Sequence, residues 1–553
     1  MPYNKEELKR EARERFGVTE FRPGQAEILN AVMSGRDTLG LLPTGAGKSL
    51  CYQLPSLFLP KPTLVVSPLI SLMQDQQEKL EEADVEVARL DSTLTASETR
   101  ETVEEISQGE QTIIYVTPER LENPKYLEVL ASHGVSLFVV DEAHCISQWG
   151  HDFRPSYLAL RDALRQLGRP PILAVTATAT PDVANDIVTH LGMDNPLIVS
   201  TGVDRANLFW EVRRTVNSTE KAQQLSEILR SETGSGIIYV ATVKLADELY
   251  ETLKTNGFNV ARYHGKMPTK EREETQRAFM DGEYQVIVAT NAFGLGVDKE
   301  DIRFVIHYNF TNSLESYYQE AGRAGRDGNR ARAILLYRLE DRRIQAYFLG
   351  GKYPKREESL KFYRLVGADP APLKTLAAAA GTGERRARVL VAQLESAGIV
   401  SRSRRGIHKL RDFASTDDFD SYLAAYEERH MSDRKKLRTM MDYAEGTMCR
   451  TIFISRYFNE ELTSDCCEHC DNCRDRAARR LPQVRRAEVG AKSVREPERS
   501  QWHEGDEVAH RQFGKGKVEK VEGENLTVAF WDGGTRRVRS SYVKPAPSPV
   551  TPR

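Results

Sequence analysis

With 553 residues the chain is too long for one ordinary core, and about three to five modules are expected. Apolar residues make up 40% and charged residues 29%, which describes a soluble globular protein, and no apolar run is long enough to cross a bilayer. The net charge of −2 argues neither for nor against nucleic acid, so a nucleic-acid surface has to be sought in local basic patches. The opening stretch MPYNKEELKREARERF is charged throughout, so a cytoplasmic protein without a secretory signal is expected. Five of the seven cysteines fall within 449–473, which favours a metal over disulfides.

Residues 6–16 carry the pattern of an amphipathic helix. FRPGQ follows, with Gln25 placed either to pair with an adenine edge through its donor and acceptor or simply to start a helix. Residues 37–40 read as a short strand. LLPTGAGKS comes next, and residues 50–54 can open a helix. Strand, glycine loop and helix make a phosphate cradle: Gly45 and Gly47 let amides turn onto phosphate oxygens, Lys48 reaches the terminal phosphates, and Ser49 can ligate Mg²⁺. The strict pattern has glycine where Leu42 stands. Strands are expected at 63–67, 112–116, 135–140 and 172–175. Alternation with helices predicts a parallel α/β sheet with ligands at the carboxyl ends of its strands. The third of these strands runs into Asp141-Glu142-Ala143-His144. There Asp141 is placed to hold Mg²⁺ through water and Glu142 to polarise the water that attacks the γ-phosphate. The loop after it carries Gln148, Trp149, Phe153 and Arg154, which offer stacking faces and a cation to single-stranded nucleic acid, or else an aromatic pair to the core. The hydroxyls of TATAT at 176–180 could link the ATP site to that face.

FRPGQ, PTGAGKS, SPLISLMQDQ, DEAHCISQWGHDFRPSY and TATAT together closely resemble the RecQ helicases of superfamily 2. The resemblance implies that Arg22, Gln25, Thr44, Gly45, Gly47, Lys48, Ser49 and Asp141 hold ATP and Mg²⁺. It also implies that Lys48, Asp141, Glu142 and His144 serve hydrolysis, and that Gln148, Trp149, Phe153 and Arg154 meet DNA. Val18 departs from the family, which often has an aromatic residue or histidine near the adenine.

A second α/β series starts at 237–242, with strands at 285–290 and 304–309. It leads to QEAGRAGRDG, where Arg323 and Arg326, three apart, share one face of a helix or turn. They can reach across a cleft to a triphosphate held by another domain. This stretch resembles the family's motif VI, which implies that Gln319, Arg323 and Arg326 complete the ATPase site. Two such halves around ATP make an engine whose cleft closes on binding and opens after hydrolysis. Movement from 3′ to 5′ is implied by the resemblance alone.

Residues 373–410 read as helix, turn, helix and a two-stranded wing, resembling a winged helix. Arg385, Arg386, Arg404 and Arg405 are its candidate DNA contacts. In the familiar RecQ order the zinc module comes first, so a strand-separating role for this wing is not implied. Residues 432–458 look helical. Cys449, Cys467, Cys470 and Cys473 are expected to bind one structural Zn²⁺, with Cys466 outside the set and His469 as the alternative fourth ligand. A four-cysteine iron–sulfur cluster is the competing reading. Residues 474–500 hold nine Lys/Arg against four Asp/Glu and read as a linker. Short strands with glycine turns then predict a small β-barrel. Its sequence resembles the Tudor- or SH3-like module that ends the UvrD and PcrA helicases, which implies a docking role toward partners such as RNA polymerase.

The expected organisation is α/β: RecA-like domains at 1–202 and 203–349, a winged helix at 350–415, a helical zinc-binding module at 416–478, a basic linker at 479–500 and a barrel at 501–547. The expected activity is ATP-dependent unwinding of single-stranded and forked DNA in repair and recombination, in the bacterial nucleoid and without membrane contact. A protein-stripping DNA translocase, an RNA helicase and an adaptor with a vestigial motor are the rival readings.

Overall fold

A computed structural model describes residues 5–478 and 502–546, apart from 110, 148–152, 295–298, 353–355, 404, 461, 463, 511–512, 523–524, 532–533 and 541–542. The chain divides into two compact units, residues 1–479 and 480–553. Within the first unit, seven strands form one sheet: β1 (Thr38–Leu41), β2 (Thr63–Val66), β3 (Val87–Leu90), β4 (Ile113–Val116), β5 (Leu137–Val140), β6 (Ile172–Thr176) and β7 (Leu197–Ser200). All pair in parallel, in the order β3-β4-β2-β5-β6-β1-β7. Leu64, Val65, Val66, Phe138, Val139 and Val140 are fully buried, because helices cover both faces. Such strands read as unbroken apolar runs rather than alternating ones. The parallel order has a direct consequence for function. The loops after β1, β5 and β6 leave the same edge of the sheet, side by side, and these carry Lys48, Asp141 and TATAT.

A second parallel sheet follows: β8 (Leu208–Arg214), β9 (Ser235–Tyr239), β10 (Val260–Tyr263), β11 (Val286–Ala289), β12 (Ile302–His307) and β13 (Ala331–Tyr337). Its order is β10-β11-β9-β12-β13-β8. The strand expected at 237–242 ends earlier, at Tyr239. Residues 240–242 leave the sheet instead, and the Thr242 hydroxyl accepts the Leu245 amide at 3.2 Å to cap the next helix. Strands β3, β7, β8 and β13 were not singled out by the sequence pattern. β7 lies at the sheet edge with Leu197, Ile198 and Ser200 only partly covered, so its apolar signal is weak.

Helices Arg356–Leu365, Leu373–Ala380 and Glu384–Ser396 pack with a two-stranded antiparallel hairpin, β14 (Val400–Ser403) and β15 (Gly406–Lys409). Phe362, Leu376, Leu390, Leu394, Ile399 and Ile407 form their core. The helix expected over 432–458 is two helices, Thr416–Glu445 and Arg450–Tyr457. Gly446 ends the first, and Asn472 Nδ2 donates to the carbonyls of Gly446 (3.2 Å) and Met448 (2.7 Å) in the break. This cysteine-bearing module shares a core with the second sheet: Met440 and Tyr443 pack in one cluster with Trp210, Tyr317 and Tyr318.

The second unit, taken by itself, is a five-stranded antiparallel sheet. Its strands are β16 (Glu507–His510), β17 (Gly514–Glu522), β18 (Asn525–Phe530), β19 (Gly534–Arg539) and β20 (Val543–Pro545), in the order β19-β18-β17-β16-β20. Trp502, Val508, Val518, Leu526, Val528 and Phe530 fill its core. The basic linker expected at 479–500 lies outside the described residues. No helix among those described is long and apolar enough to cross a membrane.

Candidate ATP site and metal centre

The phosphate loop is defined by where its carbonyls go. Four successive carbonyls are taken by side chains behind the loop. Arg205 Nη1 donates to Thr44 O at 2.9 Å, Arg22 donates to Gly45 O, and Gln25 Nε2 donates to Ala46 O (3.1 Å) and Gly47 O (2.9 Å). Turning the carbonyls back turns amides forward, and the amides of Gly45, Gly47 and Lys48 meet no acceptor among the described residues. That is the concave nest of N–H groups an anion requires. Gly47 is needed twice over. Its φ is +73°, and a Cβ there would lie 2.6 Å from Gln25 Nε2. Gln25, expected either at an adenine edge or as a helix start, begins the helix Gln25–Met33, and its amide supports the loop.

Lys48, Ser49, Asp141 and Glu142 line a cleft of about 290 Å³ together with Gln319, Arg323 and Arg326 from the second sheet's side. The Lys48 ammonium makes no hydrogen bond or ion pair among the described residues, while its carbonyl accepts the Cys51 amide at 3.1 Å. Burial, and then the neighbouring Glu142 charge, push the Asp141 carboxyl up to about 7, while Lys48 opposes the shift. Glu142 has a left-handed backbone (φ 47°) that starts a short 3₁₀ turn, and its Oε2 lies 3.2 Å from His144 Nδ1. That same nitrogen is 2.9 Å from Thr176 Oγ1, so a TATAT hydroxyl does touch the acid loop. Tyr157, fully buried, donates to the Asp141 carbonyl at 3.1 Å and pins the loop from below.

Arg323 and Arg326 lie in the turn just after the helix Leu314–Ala321. Arg323 is 5% exposed, and its Nε finds no acceptor among the described residues. Arg326 packs against the phosphate loop, since a Cβ on Gly45 would meet its Cγ at 3.1 Å. An uncommitted lysine, a buried guanidinium with an orphaned donor and a nest of amides fit a triphosphate. The paired acids fit its divalent cation.

Of the expected nucleic-acid residues, Gln148, Trp149 and Arg404 lie outside those described, and nothing is described of the Arg385 side chain. The Phe153 ring lies under the Arg429 guanidinium of the long helix, 5.1 Å from its centroid. Arg154 Nη1 donates to Pro68 O at 3.2 Å. Arg386 is paired with Glu358 at 3.2 Å, so its charge is partly spent inside the fold. Arg405 is exposed at the hairpin tip.

The sulfurs of Cys449, Cys467, Cys470 and Cys473 all lie within 4.8 Å of one another. Tetrahedral Zn²⁺ with bonds of about 2.3 Å sets its sulfurs about 3.8 Å apart, so the set fits with little adjustment. Cys470 Sγ accepts the amides of Arg450 and Cys473, each at 3.4 Å, as a thiolate ligand would. Cys466 is outside the cluster, and His469 instead reaches Asp204 at 3.1 Å. Cys449 comes from the break between the two helices, as the N-cap of Arg450–Tyr457, and not from within the one helix expected over 432–458.

The sequence pattern missed the supports of the arginine turn. Arg205 and Asn207 donate to its carbonyls, and Arg303 holds Asp327 through two bonds of 2.7 and 2.8 Å. A lone arginine in a linker carries no local signal of such a role.

Residues 22–187 match the DEAD/DEAH box helicase family, 220–328 the helicase conserved C-terminal domain, and 404–474 the RecQ zinc-binding family. An ATP-dependent DNA helicase RecQ of Bacillus subtilis (strain 168) is 38% identical over 465 residues, which are 84% of this chain and 66% of that protein. A probable ATP-dependent DNA helicase RecS of the same strain is 39% identical over 382 residues, 68% of this chain and 77% of that one. The chain therefore spans just under two thirds of the first relative's length. Among solved structures, the Mycobacterium smegmatis helicase Lhr bound to ssDNA and AMP-PNP aligns with a TM-score of 0.51 at 19% identity, over 74% of this chain and 61% of that one. That last likeness is one of fold alone.

Proposed function

The chain belongs to the RecQ family of ATP-dependent DNA helicases, and from that premise we propose that it moves 3′ to 5′ along single-stranded DNA and unwinds duplex in repair and recombination. The observation that carries the reading is the shared cleft. Lys48, Ser49, Asp141 and Glu142 from one parallel sheet meet Gln319, Arg323 and Arg326 from the other. Bound ATP and Mg²⁺ supply the γ-phosphoryl group and the charge that activates it. Lys48, Ser49 and the loop amides hold the phosphates, Arg22 and Gln25 keep that loop in shape, and Asp141 takes the metal. Glu142 orients the attacking water, and His144 keeps Glu142 in register with Thr176. Arg323 and Arg326 bring positive charge from the second half, so the cleft is complete only when the halves are together. The opening and closing of that cleft is the stroke.

DNA enters this reading through Phe153 and Arg154, close in sequence to the catalytic acids, together with Gln148 and Trp149. We expect Phe153→Ala to leave basal ATPase within about twofold and to cut stimulation by single-stranded DNA about tenfold, the scale of one lost base stack of 1–3 kcal/mol. Unchanged stimulation in a DNA titration would return Phe153 to a packing role. Helices 356–396 with the β14–β15 hairpin are read as a winged helix that grips duplex through Arg385, Arg404 and Arg405, with Arg386 held by Glu358. The decisive experiment sets strand displacement on forked DNA beside ATPase stimulation by DNA and by RNA. Displacement that needs ATP and DNA-specific stimulation support the proposal. Translocation without displacement favours the protein-stripping reading, and stimulation by RNA alone favours an RNA helicase.

The C-terminal sheet is read as a Tudor-like barrel that docks a protein, such as RNA polymerase. It folds around its own core, and Trp531 is 60% exposed on it. Cutting the chain after Arg499 should leave forked-DNA unwinding within about threefold, since a separate core carries no motor residue. Loss of unwinding in that truncation, with partner capture intact, reverses the assignment.

A further inference from the structure

Arg205 stands between the two halves of the ATP site, and every donor of its guanidinium is used. Nε donates to Asn207 Oδ1 at 3.3 Å. Nη1 donates to Thr44 O (2.9 Å) and Gly322 O (3.3 Å), and Nη2 to Ala324 O (3.1 Å) and Gly325 O (2.8 Å). Thr44 belongs to the phosphate loop. Gly322, Ala324 and Gly325 belong to the turn that carries Arg323 and Arg326.

The turn needs such a partner. It follows the C-terminus of the helix Leu314–Ala321, where carbonyls lack intrahelical donors and the dipole is negative. A guanidinium satisfies several carbonyls at once because its five donors are fixed in a plane. The residue pattern separates the two jobs. Carbonyls 322, 324 and 325 face Arg205, while side chains 323 and 326 line the nucleotide cleft. Gly325 fits only as glycine: φ is +62°, and a Cβ would sit 2.6 Å from Asn207 Nδ2.

The segment is also anchored away from the cleft. Val203 N donates to Glu460 at 2.8 Å, Asp204 meets His469 at 3.1 Å, and Tyr318 Oη donates to Val203 O at 2.8 Å. Arg205 is therefore held by the cysteine module on one side while it holds both ATP loops on the other. Three of its four carbonyl bonds lie in the second half and one in the first. A separation of the two halves would break the Thr44 bond and leave the other three in place.

We propose that Arg205 is a positioning residue for ATP hydrolysis, seating the Arg323–Arg326 turn against the phosphate loop at a fixed distance. This rests on the reading of Arg323 and Arg326 as facing the nucleotide. Among the described residues the Arg205 guanidinium donates to protein carbonyls and to Asn207 alone.

The test uses full-length Arg205→Gln and Arg205→Lys, with zinc content checked in both. In Arg205→Gln, kcat for DNA-stimulated ATPase should fall about 100-fold, the scale for a catalytic group misplaced by about 1 Å, with KM for ATP within about threefold. Amide exchange across 322–328, measured without nucleotide, should speed at least about tenfold. Lysine keeps the charge but reaches one loop at a time, so Arg205→Lys should recover part of kcat and part of the protection. Wild-type kcat in either folded variant, or a kcat loss with exchange at 322–328 unchanged, overturns the proposal. If Arg205→Gln loses zinc or fails to fold, Arg205→Lys decides by the same readouts. An inactive wild-type enzyme would instead refute the helicase reading itself.

Discussion

Lys48→Ala and Glu142→Gln should each lower ATP turnover by about 1,000-fold or more, the upper range for removing one charge-stabilising or water-orienting group. The routes differ. The Lys48 ammonium meets no partner among the described residues, so its loss removes a phosphate contact and weakens nucleotide binding as well as turnover. Glu142 is replaced by an isostere, so the φ of 47° and the local 3₁₀ turn should survive. A glutamine side chain can still sit near His144 Nδ1, now 3.2 Å from the carboxylate, but it cannot accept a proton from water. Glu142→Gln should therefore keep nucleotide affinity within about threefold and lose kcat, the signature of a contribution made only in the transition state. Fluorescent-nucleotide titration beside steady-state ATPase separates the two. Near-wild-type hydrolysis by Glu142→Gln would falsify the assignment of that acid, and unchanged affinity in Lys48→Ala would remove the phosphate role from Lys48.

What the sequence made legible follows from the length scale of each interaction. The phosphate loop and the acid loop were readable because strand, turn and functional residue are contiguous. A parallel order then brings Lys48 and Asp141 to one edge with only β6 between their strands. The convergence of thiols was readable because Cys467, Cys470 and Cys473 repeat at three-residue spacing. Arg205 was not, since its partners Thr44 and Gly325 lie 161 and 120 positions away. Gln25 was placed near the right site with its contacts unread, because an amide can serve an adenine edge or a peptide carbonyl equally well. The break at 446–449 was hidden for another reason. Met440, Tyr443 and Ile454 keep an apolar face across it, and only the packing of Asn472 against Gly446 and Met448 shows where the helix stops.

Single Cys→Ser variants at 449, 467, 470 and 473 should each take bound zinc from about one per chain to near zero, whereas Cys466→Ser should keep it. Structural Zn²⁺ is worth roughly 10–16 kcal/mol of folding free energy in small domains, on the scale of a whole domain's usual net stability. Its loss here spreads beyond the four ligands. Cys449 caps the helix Arg450–Tyr457, and Cys470 pairs with Trp210 at the edge of the second sheet. Asp471, next to Cys470, holds Arg450 at 2.9 Å and the Val212 amide at 2.9 Å. Removing the metal should therefore loosen the seam between this module and β8, including the His469–Asp204 contact. Chelation should lower the thermal midpoint of the enzyme before any direct effect on chemistry is seen. Metal analysis and melting curves of the five variants give the answer, and a colourless protein with zinc rather than a brown one with iron decides between the two four-thiolate chemistries. Full zinc in Cys449→Ser, or its loss in Cys466→Ser, would overturn the ligand set. If all four ligand variants lost zinc yet melted like the wild type, the metal would be a passenger and the seam with β8 would stand on its apolar core and the Asp471 bond to the Val212 amide.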